Sequence, residues 1–446
     1  MDALTMIRKG LIRGVWLLAI LLALTLIINL SWFDEELHPD VAQLVPPEPV
    51  SMEGNAFPLV LGFRATEDRD AREVGLQIID RLRSRFAAGE TITLSDAEMQ
   101  ALRGDVGNGR DWQGVFSSIA CNSASEAGCA ELLIADVRRS TMLESRHRTL
   151  LGRYEEVLRA ESFTEIQEYD AATPVPDYGA LLDTARVALA LSYRDKTTLQ
   201  FLGDVERDIA LWRRMLRDGH SLIAKMVALA GLRNDTLYLS ALMRNEALGA
   251  EHLTAVRRMV TPLSAQERDI GETFIAEMRI ALLSGKDLAV LIEGPSSINR
   301  LALQENATIN ETYFRTTVPL QLRASLSAAD FYAQRAYESL RYDFRLVPPP
   351  LYNLGGRLVL KWAAERMNTQ DYISRVHDLD GRMALVLLQA EIEASPDEAV
   401  ADIVQNSSYR NPYTEEPMNY DQTAGTIGFN CLGSNAVVCT VAIVSS

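Results

Sequence analysis

Residues 14–33 read GVWLLAILLALTLIINLSWF, twenty residues without a charge, with Thr25, Asn29 and Ser31 as the only polar side chains. At about 1.5 Å of rise per residue such a helix crosses a hydrocarbon core of about 30 Å. Arg8, Lys9 and Arg13 precede it and Asp34, Glu35 and Glu36 follow. The positive flank stays in the cytoplasm, which puts residues 1–13 inside and everything after residue 33 outside. Trp16 and Trp32 fall near the two interfaces, where indoles favour the headgroup layer. A cleaved secretory leader begins the same way, but the apolar run is long and no A-x-A-like site follows it. The expectation is therefore an uncleaved anchor at 14–33.

Outward from the anchor, the remaining chain is ordinary in composition: of 446 residues, 48% are hydrophobic and 23% charged, with 26 Gly and 16 Pro. That excludes collagen-like, coiled-coil-only and wholly disordered chains. Its length suits one to three domains. Residues 1–13 carry three basic and one acidic residue, so the total of −16 leaves −18 for the rest. No nucleic acid is expected as a partner, because phosphate neutralisation needs a basic surface. Anionic headgroups would repel so acidic an exterior, so the bilayer is expected to be contacted through residues 14–33 rather than a surface patch. Five of the 44 basic residues are Lys, an Arg bias associated with GC-rich bacterial genomes.

The four cysteines fall in two pairs, Cys121/Cys129 and Cys431/Cys439, each enclosing seven residues rich in small and turn-forming types. Three connectivities exist for four cysteines. Short loops favour the local pairs, each contributing roughly 2.5 kcal/mol on the chain-entropy account. Zinc motifs usually space cysteines more closely. Disulfides also need the oxidising compartment that the anchor's topology implies.

Five prolines between residues 39 and 58 (Pro39, Pro46, Pro47, Pro49, Pro58) argue for an extended, helix-free linker over 34–60. Two helical regions follow, a subdomain at 61–170 holding the first Cys pair and a core domain at 171–394. Arg72 to Phe86 repeats Val74, Ile78, Ile79, Leu82 and Phe86 at helical spacing. Ser95 with Glu98 makes a capping box. Leu202, Val205, Ile209, Trp212 and Leu216 alternate in steps of three and four, a seam for a neighbouring helix. Residues 221–232, SLIAKMVALAGL, are apolar nearly all round and read as the central buried helix, with Ile223, Met226, Val227, Leu229 and Ala230 in the core. Further helices are expected at 296–306, at 314–341 with Pro319 breaking it, at 354–367 and at 371–394. No repeat period emerges. The fold class expected is mainly α: one N-terminal transmembrane helix, an irregular multi-helix exterior body, and a disulfide-bonded β-hairpin within 395–446.

Near that hairpin, Asn411-Pro412-Tyr413 is followed by Pro417 and Tyr420. This resembles a tail of pseudopilin-like and uncharacterised bacterial envelope proteins, in which Asp/Asn-Pro-aromatic, a Pro and a Tyr precede a short terminal hairpin. The resemblance covers residues 411–446, with Asn411 where Asp is more usual. The helical body is far larger than a pseudopilin's soluble domain, and no function is carried over.

Catalytic signatures for metalloproteases, serine hydrolases, P-loop enzymes and dinucleotide binders are missing from the sequence. Lys225, beside His220 and Ser221, would gain a lowered pKa if buried and could act as base or nucleophile. The plainer reading is a Lys reaching the helix edge or paired with an acid. Asp105, Asn108 and Asp111 offer oxygens for calcium, without EF-hand spacing. Asp378-x-Asp380-Gly381 lacks the further ligands such a loop needs. Glu155/Glu156, Glu391/Glu393 and Glu415/Glu416 read as solvated faces. The five histidines are scattered and offer no cluster for a metal. The sequence therefore assigns no catalytic, cofactor-binding or metal-ligating residue. The expected function is a non-catalytic scaffold or assembly subunit in the inner membrane of a Gram-negative envelope, with an envelope protein as partner. Such a body should show no titratable cluster lining its largest pocket and should expose a large apolar patch. The alternatives are a periplasmic hydrolase of cell wall or peptide, needing a polar cleft with perturbed carboxylates, and a lipid- or small-ligand-binding module, needing an apolar cavity.

Overall fold

The computed structural model describes residues 3–44, 49–90, 92–104, 137–166, 173–283, 303–338, 352–357, 360–361, 369–433 and 439–443. Cys121, Cys129, the Asp105–Asp111 loop and most of the helices expected at 296–306 and 354–367 lie outside them. The chain is mainly helical, as its periodicity predicts, with one short antiparallel sheet.

α1 runs Ala3–Ile28, five residues short of the expected end of the span. Its last 18 residues, Leu11–Ile28, are long and apolar enough to cross a membrane. The helix stops at Asn29, whose side-chain Nδ2 turns back to the Thr25 carbonyl at 2.8 Å. Ser31–Phe33 form a single 3-10 turn.

Two of the prolines that follow start helices instead of forbidding them. Pro39 is the first residue of α2, Pro39–Ala42, and Pro58 the second of α3, Phe57–Leu61. In the first turn a helix has no use for the missing N–H. α3 is wholly buried, and with Asn55 and Ala56 before it the end of the expected linker is core rather than free spacer. It crosses α4, Ala71–Ala88, through two glycines. A Cβ on Gly75 would sit 1.8 Å from the Pro58 carbonyl oxygen, and one on Gly62 2.0 Å from that of Ala71. α4 buries Val74, Ile78, Ile79 and Leu82 as expected, and α5, Asp96–Arg103, has the Ser95–Glu98 capping box.

The chain gathers into two units, each built from three stretches: Met1–Val45 with Met278–Leu320 and Ala336–Asn368, and Pro46–Glu277 with Gln321–Arg335 and Thr369–Ser446. A linear partition at residues 170 and 394 does not anticipate this interleaving. In the larger unit α6 (Val137–Arg159), α7 (Tyr178–Asp195), α8 (Thr198–Asp218) and α9 (Leu222–Asn245) pack in succession. The α8 seam is buried at all five expected positions. On α9, Leu229 is buried, Met226, Val227 and Ala230 are half-buried, and Ile223 is 48% exposed. The buried stripe of its first turns is Ala224, Lys225 and Ala228 instead.

α10 (Ala250–Met259), α11 (Ala265–Arg268) and α12 (Gly271–Leu283) follow. α13, Glu305–Thr312, runs into a π-helical turn, Tyr313–Thr317, and then into α14, Val318–Ala324. The wider π-turn lies just ahead of Pro319, where a proline costs an α-helix one N–H and some clearance. Pro319 therefore does not break the helical run. α15 is Ala328–Glu338, and α16, Thr369–Glu393, packs along α9.

The C-terminal segment adds α17, Val400–Asn406, and three strands, β1 (Asn419–Asp421), β2 (Thr426–Gly428) and β3 (Thr440–Ala442). They form an antiparallel sheet in that order. Cys431–Cys439 is a disulfide with its Cα atoms 5.7 Å apart, closing the connection from β2 to β3. Tyr413, Met418, Ile427, Phe429 and Val441 share a core with Leu385, Leu388 and Ile392 of α16.

Candidate functional site

Among the described residues, two places concentrate polar groups: a cleft in the larger unit and the C-terminal end of α1 in the smaller one. The cleft, about 190 Å³, lies among α6, α7 and α8. Its lining includes Tyr154, Glu155, Ser192, Lys196, Asp204, Arg207 and Asp208. A Thr197–Gln200 capping box starts α8 and sets Asp204 and Asp208 one turn apart on one face.

The two carboxylates meet opposite environments. Burial pushes the Asp204 carboxyl up, but hydrogen bonds from Lys196, Ser192 and Arg207 outweigh it and hold it below the usual range. Ser192 Oγ donates at 2.5 Å, Arg207 Nη2 at 2.7 Å, and the Lys196 ammonium completes the shell. Arg207 also reaches Glu155 at 3.0 Å. Asp208 is raised, chiefly by burial. It accepts from the Tyr154 hydroxyl and, at 3.1 Å, from Trp212 Nε1. Asp235 of α9, wholly buried against it, is pushed well up by burial and by the Asp208 charge. Two adjacent buried carboxyls cannot both ionise. With both Asp208 oxygens occupied by donors, the retained proton belongs on Asp235.

A carboxylate held low beside one held high is the pattern an acid–base pair requires. The proton here, however, sits behind Asp208, and Asp204 is saturated by cations. The cluster holds α6, α8 and α9 together. A titratable cluster therefore lines this cleft. Replacing Asp235 with Asn should stabilise the protein by about 1–2 kcal/mol at pH 7, since a buried acid that must stay protonated is removed. The raised pKa makes the native pair's contribution largest in acid and lost as pH rises, so the gain should shrink toward pH 4. Urea titrations at the two pH values measure it.

Several residues singled out in the sequence have structural partners where the structure describes them. Lys225 is buried, and its ammonium caps the end of α8, donating to the Leu216 carbonyl and, at 3.3 Å, to that of Arg217. Burial lowers it to about 8. It is neither acid-paired nor set against a nucleophile. The His220 and Ser221 amides donate to Glu165 Oε2 at 2.9 and 2.7 Å, and Ser221 Oγ to Oε1 at 2.8 Å. Glu165 is buried, an anion at the start of α9 where the helix dipole favours it. Nothing in its local sequence marked it.

Asp378 accepts from Tyr413 Oη (2.7 Å), Leu432 N (3.1 Å) and Gly433 N (2.8 Å), pinning the disulfide loop to α16. Asp380 accepts from Leu263 N at 2.7 Å and Arg268 at 3.2 Å. Gly381 leaves room for the Phe429 ring, 2.4 Å from where a Cβ would be. The Asp378 carboxylate and both sulfurs lie within 4.8 Å of one another, but the sulfurs are joined and offer no thiolate. Glu155 pairs with Arg207, and Glu391 accepts from Ser407 Oγ at 2.6 Å. The exposed apolar side chains of the larger unit, Val175, Leu199, Ile223, Leu322 and Tyr332, stand on separate elements.

At the C-terminal end of α1 the chain is clamped. Asn29 Oδ1 accepts from the Leu354 amide at 2.7 Å. The buried Gln304 amide donates to the Ile28 carbonyl at 2.8 Å and to that of Phe33 at 3.3 Å. One of these is a helix-end carbonyl with no partner inside its helix. Asp34 accepts from the Asn306 and Ala307 amides at 2.8 and 3.0 Å, an anion on the first turn of α13. Asn310 bridges Glu35 Oε1 (2.7 Å), the Glu36 carbonyl (3.0 Å) and the His38 amide (2.9 Å). Val41 packs with Met278 and Ile309. Asn353 sits at φ 55° and accepts from Thr308 Oγ1 at 3.2 Å. Gly356 makes that approach possible, because a Cβ there would be 1.9 Å from Thr308 Oγ1.

Gly356→Val should part the 352–357 turn from α13 at a cost of about 1–3 kcal/mol. Hydrogen exchange at the Leu354 amide should then accelerate by about tenfold or more, since 1.4 kcal/mol is a factor of ten. These partners lie some 270 to 325 residues from α1 in sequence, so only residue types, not a motif, announced them. No protein-family model matches the chain, and neither the curated proteins nor the solved structures contain a match to it.

Proposed function

We propose that this chain is a non-catalytic, single-pass assembly subunit of a bacterial envelope complex, anchored in the inner membrane by α1 with its N-terminus in the cytoplasm and its helical body in the periplasm. The observation that carries the reading is the clamp. A tethered enzyme gains reach from a loose linker, whereas a subunit that positions a partner relative to the bilayer needs its membrane helix fixed to folded structure. Asn29, Gln304 and Asp34 supply that fixation. The charge asymmetry around α1 supports the orientation, and the Cys431–Cys439 disulfide supports the oxidising compartment.

A second reading rests on the cleft, where Asp204 and Asp208 would serve a hydrolase. One comparison separates the two. In cells carrying Asp204→Asn or Gly356→Val, the native complex is sized after gentle membrane extraction, alongside the phenotype of a deletion strain. The scaffold reading expects Asp204→Asn to retain complex and function, and Gly356→Val to lose both while the protein stays folded. Loss of function with the complex intact in Asp204→Asn overturns it in favour of the hydrolase.

A further inference from the structure

The hydrocarbon boundary on the exterior side can be placed on the molecule. The 18-residue span Leu11–Ile28, uncharged except for Arg13, whose long side chain reaches back to the cytoplasmic interface, rises about 27 Å, close to a whole hydrocarbon core. The boundary therefore falls at Ile28 or just beyond, and Asn29 lies at its edge. What is hydrogen-bonded to Asn29 and to the next turn must lie within the headgroup layer, about 5–7 Å deep on each side.

Four large side chains stand there. Trp32 is 83% exposed and Phe33 51%. Leu354, whose amide is held by Asn29, is 37% exposed. The Tyr352 hydroxyl donates to the Phe33 carbonyl at 3.1 Å. Two come from the end of the membrane helix and two from a turn more than 300 residues later. Trp and Tyr favour this layer because an apolar ring can lie toward the acyl chains while its polar atom stays hydrated. Of the neighbouring acids, Asp34 is engaged on the first turn of α13 and Glu35 on Asn310, while the Glu36 side chain is exposed.

We propose that Trp32, Phe33, Tyr352 and Leu354 form a seat in the lipid headgroup layer, so that the smaller unit rests on the bilayer α1 crosses instead of standing off from it. The occupant is lipid, because the surface continues without a break from the membrane-spanning helix. The proposal rests on α1 spanning the bilayer and departs from the expectation that acidity confines membrane contact to the helix. Burial of these four side chains in the interface adds to the anchoring and fixes the tilt and rotation of the unit.

The test uses the full chain in nanodiscs of zwitterionic lipid, with Cys121 and Cys129 changed to Ser and the Cys431–Cys439 disulfide left intact. An environment-sensitive fluorophore is attached through Leu354→Cys, Trp32→Cys or, as a mid-span reference, Leu21→Cys. Quenching is compared between lipids carrying a nitroxide on the headgroup and lipids carrying it deep on the acyl chain. At positions 354 and 32 the headgroup nitroxide should quench about twofold or more better than the deep one, and at position 21 the order should reverse. Position 32 keeps the test informative if Leu354→Cys disturbs the turn. Quenching at 21 with none at 354 and 32 overturns the seat and leaves the membrane helix standing. No quenching at 21 would instead refute the membrane helix itself.

Discussion

Trp212→Ala should destabilise the larger unit by about 3–5 kcal/mol, the range of large aromatic truncations in cores. Trp212 is fully buried in the α8 seam. Its ring lies against α9 at Gly231, where a Cβ would come within 2.2 Å of it. No small residue can fill that volume, and α9 cannot move in without displacing Lys225 from the end of α8. The substitution also strips Asp208 of the Trp212 Nε1 donor, which leaves the carboxyl pair with Asp235 less stabilised. Trp212→Phe separates the contributions, since it keeps most of the volume and loses the donor, at about 1–3 kcal/mol. Chemical denaturation of the purified protein measures both. Equal losses for the two variants would mean that the hydrogen bond, not the packing, dominates.

The second large effect is acid lability from His377. Its ring is buried beside Phe331 and Tyr413, at 5.4 and 6.4 Å between centroids, and among the described residues neither nitrogen has a hydrogen-bond partner. Burial, helped by the Arg268 charge, lowers the imidazole to about 4. Below about pH 6.5 the unfolded chain takes up a proton that the folded chain refuses. Stability is therefore full above that pH and falls as the pH drops through 6.5 toward 4, by up to about 3 kcal/mol. Raised carboxyls such as Asp378, Asp380 and Glu277 slope the other way, so the histidine is isolated by comparison. His377→Phe should match or exceed the parent protein at pH 7, with its advantage growing to about 3 kcal/mol by pH 4. An advantage that stays constant with pH would show that the ring is protonated in the folded state.

The elements that sequence periodicity read well are those whose information is local. The α8 seam declared itself because five buried side chains recur on one face, and the Ser95–Glu98 box because both partners lie within one turn. The Cys431–Cys439 pair was legible from its spacing and turn-rich loop. Local reading failed where a distant partner decides the outcome. Ile223 and Lys225 exchanged their expected places because the carbonyl end of α8 captures the ammonium, a gain no hydropathy pattern contains. Proline's cost in a helix interior predicts a helix-free linker, whereas Pro39 and Pro58 occupy first turns. Asn29 is one of three polar side chains in an apolar run. Its meaning depends on Leu354, 325 residues away. The buried Asp208–Asp235 pair was hidden for the same reason, being two acids on different helices among 60 in the chain.

The clamp at the end of α1 carries the functional account, and one distance measurement tests it directly. Spin labels at Leu26→Cys on α1 and Phe314→Cys on the π-turn, both exposed positions in the smaller unit, can be read by pulsed electron resonance in nanodiscs with Cys121 and Cys129 changed to Ser. Attachment through Asn29, Gln304 and Asp34 predicts a single narrow distance distribution that broadens in the Gly356→Val variant. A broad distribution in the otherwise unaltered chain, as for a body swinging on a flexible linker, would contradict the account.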